Sequence, residues 1–294
     1  PLPAVPIPSP HPLRIELFPI LFMVLCGVAF LAGVPLNCYV LFVAGFRVER
    51  TASAVWFWSW AVADFIFIIF LPLRFISIFI KELDTTKVVS STVTSFHMFS
   101  SSFLLTALSV DRCILVARPE WARYHSMPLL AFKMVMGMWS LSVGFSLRYG
   151  DLWEYLHSPA SSSMNFLVGF LIPLALILIP TFSIVLAVKL RRNRLIQSTK
   201  PLKILLGLIP TFFLCWLPYH VFSLLQISAM HTGSVWNTGI AFACVLTYFS
   251  SCLNPIFYLT VDKEFLRYRQ CGNAWNCQYL HEERIHLAGT IGSP

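Results

Sequence analysis

Long apolar stretches alternate with short polar segments along this chain. Residues 17–46, 88–110, 155–188 and 204–261 contain no Lys, Arg, Asp or Glu. A helix that crosses a membrane needs about 20 mainly apolar residues, so the last stretch is long enough for two, with "QISAMHTGSVWNT" (226–238) as the turn between them. The pattern therefore predicts several membrane-spanning helices.

Two further apolar stretches contain an occasional charge and bring the predicted number of spans to seven. One covers residues 52–80 and includes Asp64 and Arg74. The other covers residues 129–149 and includes Lys133. The predicted spans are 18–45, 53–80, 88–116, 129–149, 163–189, 203–228 and 236–260.

The two ends of the chain have a different composition from the spans. The start, "PLPAVPIPSPHPLR", is rich in proline and lacks the order of charged and apolar residues typical of a signal peptide. We predict three parts: an extracellular Pro-rich tail over 1–17, a seven-transmembrane domain over 18–260, and an amphipathic helix with a cytoplasmic tail over 261–294.

Composition and charge agree with a multi-pass membrane protein. Hydrophobic residues make up 57% of the 294 residues, charged residues 12%, and the mean hydropathy is +0.74. With the N-terminus outside, only five of the 21 Lys and Arg residues fall at outer positions, as the positive-inside rule requires. The net charge of +8 then indicates contact with membrane lipids rather than with nucleic acid. The five are Arg14, Arg74, Lys81, Lys87 and Arg148.

Asp64 is the single carboxylate predicted at mid-membrane depth, where an ionisable group is costly and usually functional. A carboxylate together with hydroxyl and amide oxygens suits a small hard cation such as Na⁺. A hydrogen-bonded packing cluster is the alternative. The polar residues that we expect to face Asp64 are Asn37, Ser101, Ser250, Ser251 and Asn254.

An ion pair and several prolines within the spans are candidate elements of a conformational change. Asp111 and Arg112 end the third span, where the arginine either forms a releasable ion pair or extends to the membrane surface. Proline residues within spans permit kinks, and "CWLPYH" (215–220) places Trp216 beside Pro218. The other prolines inside the later spans are Pro173, Pro180, Pro210 and Pro255.

Taken in order, these motifs resemble those of rhodopsin-like (class A) G-protein-coupled receptors. The series is Asn37 in "GVPLN", Asp64 in "AVADF", "DRC" at 111, Trp139, Pro173, "CWLP" at 215 and "NPIFY" at 254. The segments "DRCILVARPEWARYHS" (111–126), "RRNRLIQSTKPLKILL" (191–206), "TFFLCWLPYHVFSLL" (211–225) and "SCLNPIFYL" (251–259) are similar to the chemoattractant branch, which includes formyl-peptide, chemerin, anaphylatoxin and prostaglandin D2 receptors.

The resemblance implies a receptor at the plasma membrane for a peptide or anionic lipid mediator, coupled to a Gi-type G protein and regulated by arrestin. It implies a sodium pocket of Asp64, Ser101 and Asn254, and an eighth helix at "DKEFLRYR" (262–269), with Cys271 or Cys277 as a palmitate site. The switch residues that it implies are Asp111, Arg112, Trp216, Pro218, Asn254, Pro255 and Tyr258.

The predicted outer face departs from the family pattern. None of the eight cysteines lies in a predicted outer loop, and Lys87 stands where the family has the third-span cysteine of its outer disulfide. The chain contains no Asn-x-Ser/Thr sequon, and Thr181 stands where the family usually has a tyrosine. These departures leave open an alternative: an orphan or nonsignalling protein with the receptor fold and an eroded extracellular face, poorly exported.

Ligand contacts are expected in the outer half of the bundle, with Arg74 suited to bind a carboxylate through two parallel hydrogen bonds. His97 is interpreted as a packed polar residue. Transporters typically contain internal repeats, which this chain lacks, and an intramembrane enzyme would need a second reactive group beside Asp64. The predicted contacts are Arg74, Arg148, Tyr219, His220, Gln226 and Tyr248.

Overall fold

The computed structural model describes seven ranges of residues, and these are helical except at Thr51 and Phe70. Within them, seven helical segments are long and apolar enough to cross a membrane, which confirms the predicted all-α bundle. The described ranges are 12–47, 51–79, 84–117, 128–150, 159–190, 200–225 and 234–261.

The observed spans agree closely with the predicted ones. They are Ile20–Phe46, Ala52–Ile76, Val88–Ile114, Pro128–Leu147, Ser162–Ser183, Ile204–Leu225 and Thr238–Thr260, named below the first to the seventh span. The helices that contain them are Pro12–Phe42, Ala52–Ile69, Leu71–Phe79, Asp84–Ala117, Pro128–Gly150, Pro159–Phe166, Ile172–Leu190, Lys200–Leu225 and Ser234–Val261, with π-helical turns at Val43–Arg47 and Leu167–Leu171.

The first helix begins earlier than the predicted end of the N-terminal tail. It starts at Pro12, whereas the tail was predicted to extend to residue 17. Proline is favoured in the first turn of a helix, because its fixed φ suits the helix and its missing N–H would have no partner there. Residues 12–17 therefore belong to the first helix.

The second span consists of two helices instead of the single one predicted. It is interrupted at Phe70, between Ala52–Ile69 and Leu71–Phe79. Pro72 explains the interruption, since a proline ring clashes with the carbonyl of the residue four positions earlier and cannot donate to it. Helical bonding resumes with Arg74, whose backbone N–H donates to the Phe70 carbonyl at 3.1 Å. The proline thus sets the direction of the segment that carries Arg74.

The bundle exposes apolar side chains on its outside, and its interior contains polar residues as well as an apolar core. Leu31, Phe46 and Phe182 are 74%, 81% and 70% exposed, whereas Asn37 and Asp64 are fully buried. This distribution is the reverse of that in a soluble domain and suits a helix bundle in lipid, where polar residues face the interior.

Close packing near the centre of the bundle depends on Gly33 in the first span. A Cβ atom at this position would lie 2.5 Å from Ile68 Cδ1 and 2.9 Å from Cys252 Sγ. Small residues allow membrane helices to approach closely. The first span therefore packs tightly against the second and seventh spans, which carry much of the site described next.

Candidate functional site

Buried polar residues from the second, third and seventh spans surround Asp64. Its Oδ1 lies 2.7 Å from Nε2 of His97, and its Oδ2 accepts a hydrogen bond of 3.0 Å from Nδ2 of Asn254. All three residues are buried. An ionised carboxylate only accepts hydrogen bonds, so with Asp64 in that form the N–H of His97 Nε2 is the donor in this contact. Each carboxylate oxygen therefore has a donor supplied by the chain itself.

Two hydroxyl groups and an amide complete this group of residues, called here the Asp64 cluster. The hydroxyl oxygens of Ser251 and Ser101 lie 3.0 and 3.3 Å from Nε2 of His97. Asn37 donates to the backbone carbonyls of Ser251 and Gly33, at 3.1 and 3.0 Å. The cluster is defined as Asn37, Asp64, His97, Ser101, Ser251 and Asn254.

The structure thus brings together most of the residues that we expected around Asp64. Ser101 and Ser251 approach the carboxylate through His97, and Asn254 binds it directly. Ser250 instead donates to the Thr247 carbonyl of its own helix at 2.8 Å. The predicted sodium ligands Asp64, Ser101 and Asn254 do converge, although an imidazole nitrogen lies among them.

His97 was interpreted as a packed polar residue, and its ring is indeed buried and packed. The sequence analysis did not place it beside Asp64, where its ring is the centre of the Asp64 cluster. A signal existed in the sequence: His97 precedes Ser101 by four residues, so both side chains lie on one face of the third helix. Once Ser101 is expected to face Asp64, His97 is expected there as well.

A stack of three aromatic rings joins the Asp64 cluster to the next layer of the bundle. Phe67 lies between His97 and Tyr248, with ring centroids 4.0 and 4.2 Å away and both interplanar angles 6°. Trp216, which is fully buried, lies with its centroid 5.7 Å from that of His97. The predicted switch residue Trp216 and the predicted ligand contact Tyr248 are therefore both in contact with this stack.

Three of the predicted ligand contacts lie together at the end of the bundle that contains Arg74, called here the Arg74 end. The guanidinium donates from Nη2 to Sγ of Cys244 at 3.3 Å, and Tyr219 and Tyr248 lie within electrostatic range of it. His220 is buried next to this group, with its ring 5.8 Å from that of Tyr219 and 5.0 Å from that of Phe170. Arg74, Tyr219 and Tyr248 form the candidate anion site.

The opposite end of the bundle, the Arg112 end, contains the predicted ion pair. Nε of Arg112 lies 3.8 Å from Oδ2 of Asp111, which is an ion pair longer than a hydrogen bond. Nη2 of Arg112 also donates to the hydroxyl of Ser53 in the second span at 2.8 Å. The arginine is thus held to its own helix and to a neighbouring one.

The seventh span connects the Asp64 cluster with the aromatic core. Asn254 binds Asp64, Pro255 follows within the same helix, and Tyr258 is fully buried. The Tyr258 ring stacks on Phe57 with a centroid distance of 4.7 Å. Asn254 and Tyr258 therefore face the second span.

Some predicted residues lie outside the part of the chain that the structure describes. Gln226, Cys271, Cys277 and the predicted eighth helix at 262–269 belong to this group. Arg148 falls within the helix Pro128–Gly150, but its side chain is not among those described. Their predicted roles stay predictions.

The cysteines that the structure describes are free thiols. They are Cys26, Cys38, Cys113, Cys215, Cys244 and Cys252. The remaining two, Cys271 and Cys277, lie after the seventh span in the sequence. No disulfide joins the described spans to each other.

Comparison with known proteins identifies the kind of molecule to which this architecture belongs. The family model described as "7 transmembrane receptor (rhodopsin family)" matches residues 36–150 and 151–258. The human chemerin-like receptor 1 is 34% identical, over 88% of this chain and 79% of the relative. The mouse chemerin-like receptor 2 is 31% identical, over 82% and 75%, and the N-formyl peptide receptor 3 of Pongo pygmaeus is 30% identical, over 81% and 79%.

Proposed function

We propose that this chain, which belongs to the rhodopsin family of seven-transmembrane receptors and resembles its chemoattractant members, couples a ligand at the Arg74 end to a Gi-type G protein at the Arg112 end. Receptors of this family are multi-pass proteins of the plasma membrane and not enzymes. In the proposed orientation the N-terminus is extracellular, because most Lys and Arg residues then lie on the cytoplasmic side.

One observation carries this proposal: a series of side-chain contacts leads from Tyr248, near Arg74, to the Asp64 cluster. Arg74 donates to Cys244, which lies one helical turn before Tyr248. Tyr248 stacks on Phe67, Phe67 stacks on His97, and His97 binds Asp64. A ligand that moves Tyr248 would therefore disturb packing beside both Trp216 and Asp64. This gives a ligand a physical means of shifting the population of two bundle conformations.

The proposed ligand class is a peptide or lipid with a free carboxylate. Arginine binds carboxylates through two parallel hydrogen bonds, and the hydroxyl groups of Tyr219 and Tyr248 add donors nearby. The names of the relatives point to chemerin and to N-formyl peptides as the compounds to test first. An anionic lipid mediator suits the same three side chains.

Nucleotide exchange on purified G proteins tests the coupling. The receptor is reconstituted in vesicles with Gi, Gs or Gq heterotrimers, and binding of a non-hydrolysable GTP analogue is followed with and without ligand. We expect a response with Gi that Arg112→Ala removes. Exchange that is equal with and without receptor for all three heterotrimers contradicts the proposal.

Matched pairs of peptides test the ligand class. A C-terminal chemerin peptide and an N-formyl peptide are each prepared as the free acid and as the C-terminal amide, and their potencies in the Gi assay are compared. We expect the acid to be the more potent member of an active pair. Equal potency of acid and amide argues against carboxylate binding by Arg74.

A second function is favoured by the cysteine positions. The predicted outer loops contain no cysteine for an outer disulfide, and such a bond typically stabilises a protein by about 2 to 4 kcal/mol. A receptor-fold protein that is poorly exported and does not signal fits this loss. Antibody staining of an epitope tag before Pro1, in intact and in permeabilised cells, separates the two functions, since only an exported receptor stains intact cells.

Regulation at the cytoplasmic side completes the proposal. Arrestin is the expected second partner at the Arg112 end. An amphipathic helix at 262–269 and a palmitate on Cys271 or Cys277 would hold the tail against the inner lipid surface. Metabolic labelling with a palmitate analogue, compared with the double Cys271→Ala and Cys277→Ala variant, tests the lipid attachment.

A further inference from the structure

The imidazole of His97 lies where oxygen atoms from three spans converge. Its Nε2 is 2.7 Å from Oδ1 of Asp64, 3.0 Å from Oγ of Ser251 and 3.3 Å from Oγ of Ser101. The same three side chains were predicted from the sequence as oxygen ligands for a hard cation. A cation bound by all three would have to contact the same atoms that now surround the nitrogen.

We propose that His97 takes the place of a sodium ion in this receptor, so that its N–H group satisfies Asp64 and the Asp64 cluster does not bind Na⁺. The ring belongs to the third span, the carboxylate to the second, and Ser251 to the seventh. The three spans are therefore linked by a side chain that is part of the protein and does not exchange with the solvent.

Hydrogen bonding at Asp64 supports this replacement. Buried carboxylates need partners, because an unpaired buried charge is costly. Here His97 donates to one Asp64 oxygen and Asn254 to the other. Both oxygens therefore have a partner without a bound cation. A tethered donor also avoids the entropic cost of capturing a free ion.

Packing fixes the ring in this position. Phe67 stacks on His97 with a centroid distance of 4.0 Å, and Trp216 lies beside it at 5.7 Å. The His97 side chain is 1% exposed. Rotating the imidazole away to admit an ion would break its contacts with Phe67 and Trp216 and leave Nε2 without Asp64 as its partner. The geometry therefore favours occupation of this position by the imidazole rather than by a sodium ion.

Thermal unfolding of the purified receptor in detergent tests the proposal without ligand or G protein. Tryptophan fluorescence reports the midpoint, Tm, in NaCl and in KCl of equal concentration, about 150 mM. A ligand that binds only the folded state raises Tm. We expect the wild-type Tm to be equal in the two salts, and that of His97→Ala to be about 3 °C higher in NaCl than in KCl.

Two further variants sharpen the measurement. Adding Asp64→Asn to His97→Ala removes the carboxylate, so the sodium effect should disappear. His220→Ala removes another buried imidazole, one that packs against Phe170 away from Asp64, and should show the same Tm in both salts. If His97→Ala yields no folded protein, His97→Asn replaces it, because the smaller amide leaves room for an ion.

Two results would overturn the proposal. One is a wild-type Tm that rises in NaCl as much as that of the His97 variant, since Na⁺ would then bind with the imidazole present. The other is a folded His97 variant with equal Tm in both salts, since His97 would then not be what excludes the ion. The wild-type comparison does not depend on any variant folding. Neither result bears on the proposed coupling to a G protein.

Discussion

The Asp64 cluster and the Arg74 end of the bundle use polar side chains in different ways. In the cluster, the Asp64 oxygens receive hydrogen bonds of 2.7 and 3.0 Å from groups of the same chain. At the Arg74 end, the guanidinium donates to a thiol at 3.3 Å, and sulfur is a weak acceptor that a ligand carboxylate would surpass. The comparison separates a carboxylate whose two oxygens are already bound by the chain itself from an arginine suited to a ligand.

The largest effect is expected at neither of these sites but at the Arg112 end, where Arg112→Ala should abolish nucleotide exchange on Gi. Removing the guanidinium leaves Asp111 partly exposed and Ser53 without its donor, which costs the fold little. Surface staining should therefore stay at the wild-type level while coupling is lost.

Ser53→Ala is the matched control, because it removes only the hydroxyl that accepts from Arg112. We expect this variant to keep its coupling. Coupling that survives in Arg112→Ala would show that the arginine is not needed at the G-protein interface.

Asp64→Ala should have the next largest effect, this time on stability. The change leaves buried N–H groups of His97 and Asn254 without their acceptor, and each unsatisfied buried group costs about 1 to 3 kcal/mol. The midpoint of thermal unfolding in detergent measures the loss.

Asp64→Asn is the conservative control for this prediction. Its amide keeps one acceptor oxygen, and His97 can change its tautomer to accept from the new NH₂ group, so the loss should be about 1 kcal/mol. Equal stability of the alanine variant and the wild type would mean that the cluster does not hold the spans together.

Arg74→Ala should weaken an anionic ligand by about tenfold to a hundredfold, since a hydrogen bond to a charged group contributes about 1.5 to 3 kcal/mol. The EC50 of the free-acid peptide in the exchange assay measures the change. Arg74→Lys keeps the charge but loses the planar pair of donors, so its EC50 should lie between those of the wild type and Arg74→Ala. Unchanged potency in Arg74→Ala would remove this residue from the ligand site.

Phe67→Leu should have the smallest effect and tests the link between the two regions. The change removes the stacking on His97 and Tyr248, worth about 1 kcal/mol. We expect a lower maximal response with little change in EC50. Phe75→Leu is the control, because this ring of the same span stacks on Phe22 away from the cluster. A full response in Phe67→Leu would rule out the ring stack as the connection.

The sequence was sufficient for the spans and for several of the polar residues around Asp64, because length, hydropathy and the scarcity of buried charge constrain both. Two features escaped prediction. The interruption at Phe70 depends on how Pro72 is accommodated, since proline can bend a helix or end it. The four-residue spacing places His97 on the same helix face as Ser101, but the position of its ring between Asp64 and Ser251 depends on the rotation of the third helix relative to the second and seventh, which one sequence does not specify.

The free thiols have a consequence for the preparation of this protein. The described cysteines form no disulfide, and Cys26, Cys113, Cys244 and Cys252 are buried in the bundle. Disulfides form in oxidising compartments, and a fold that needs one is lost under reduction. The helix bundle described here should therefore assemble equally well in cell-free synthesis with a reductant present, and purification in reducing buffer should leave its Tm unchanged.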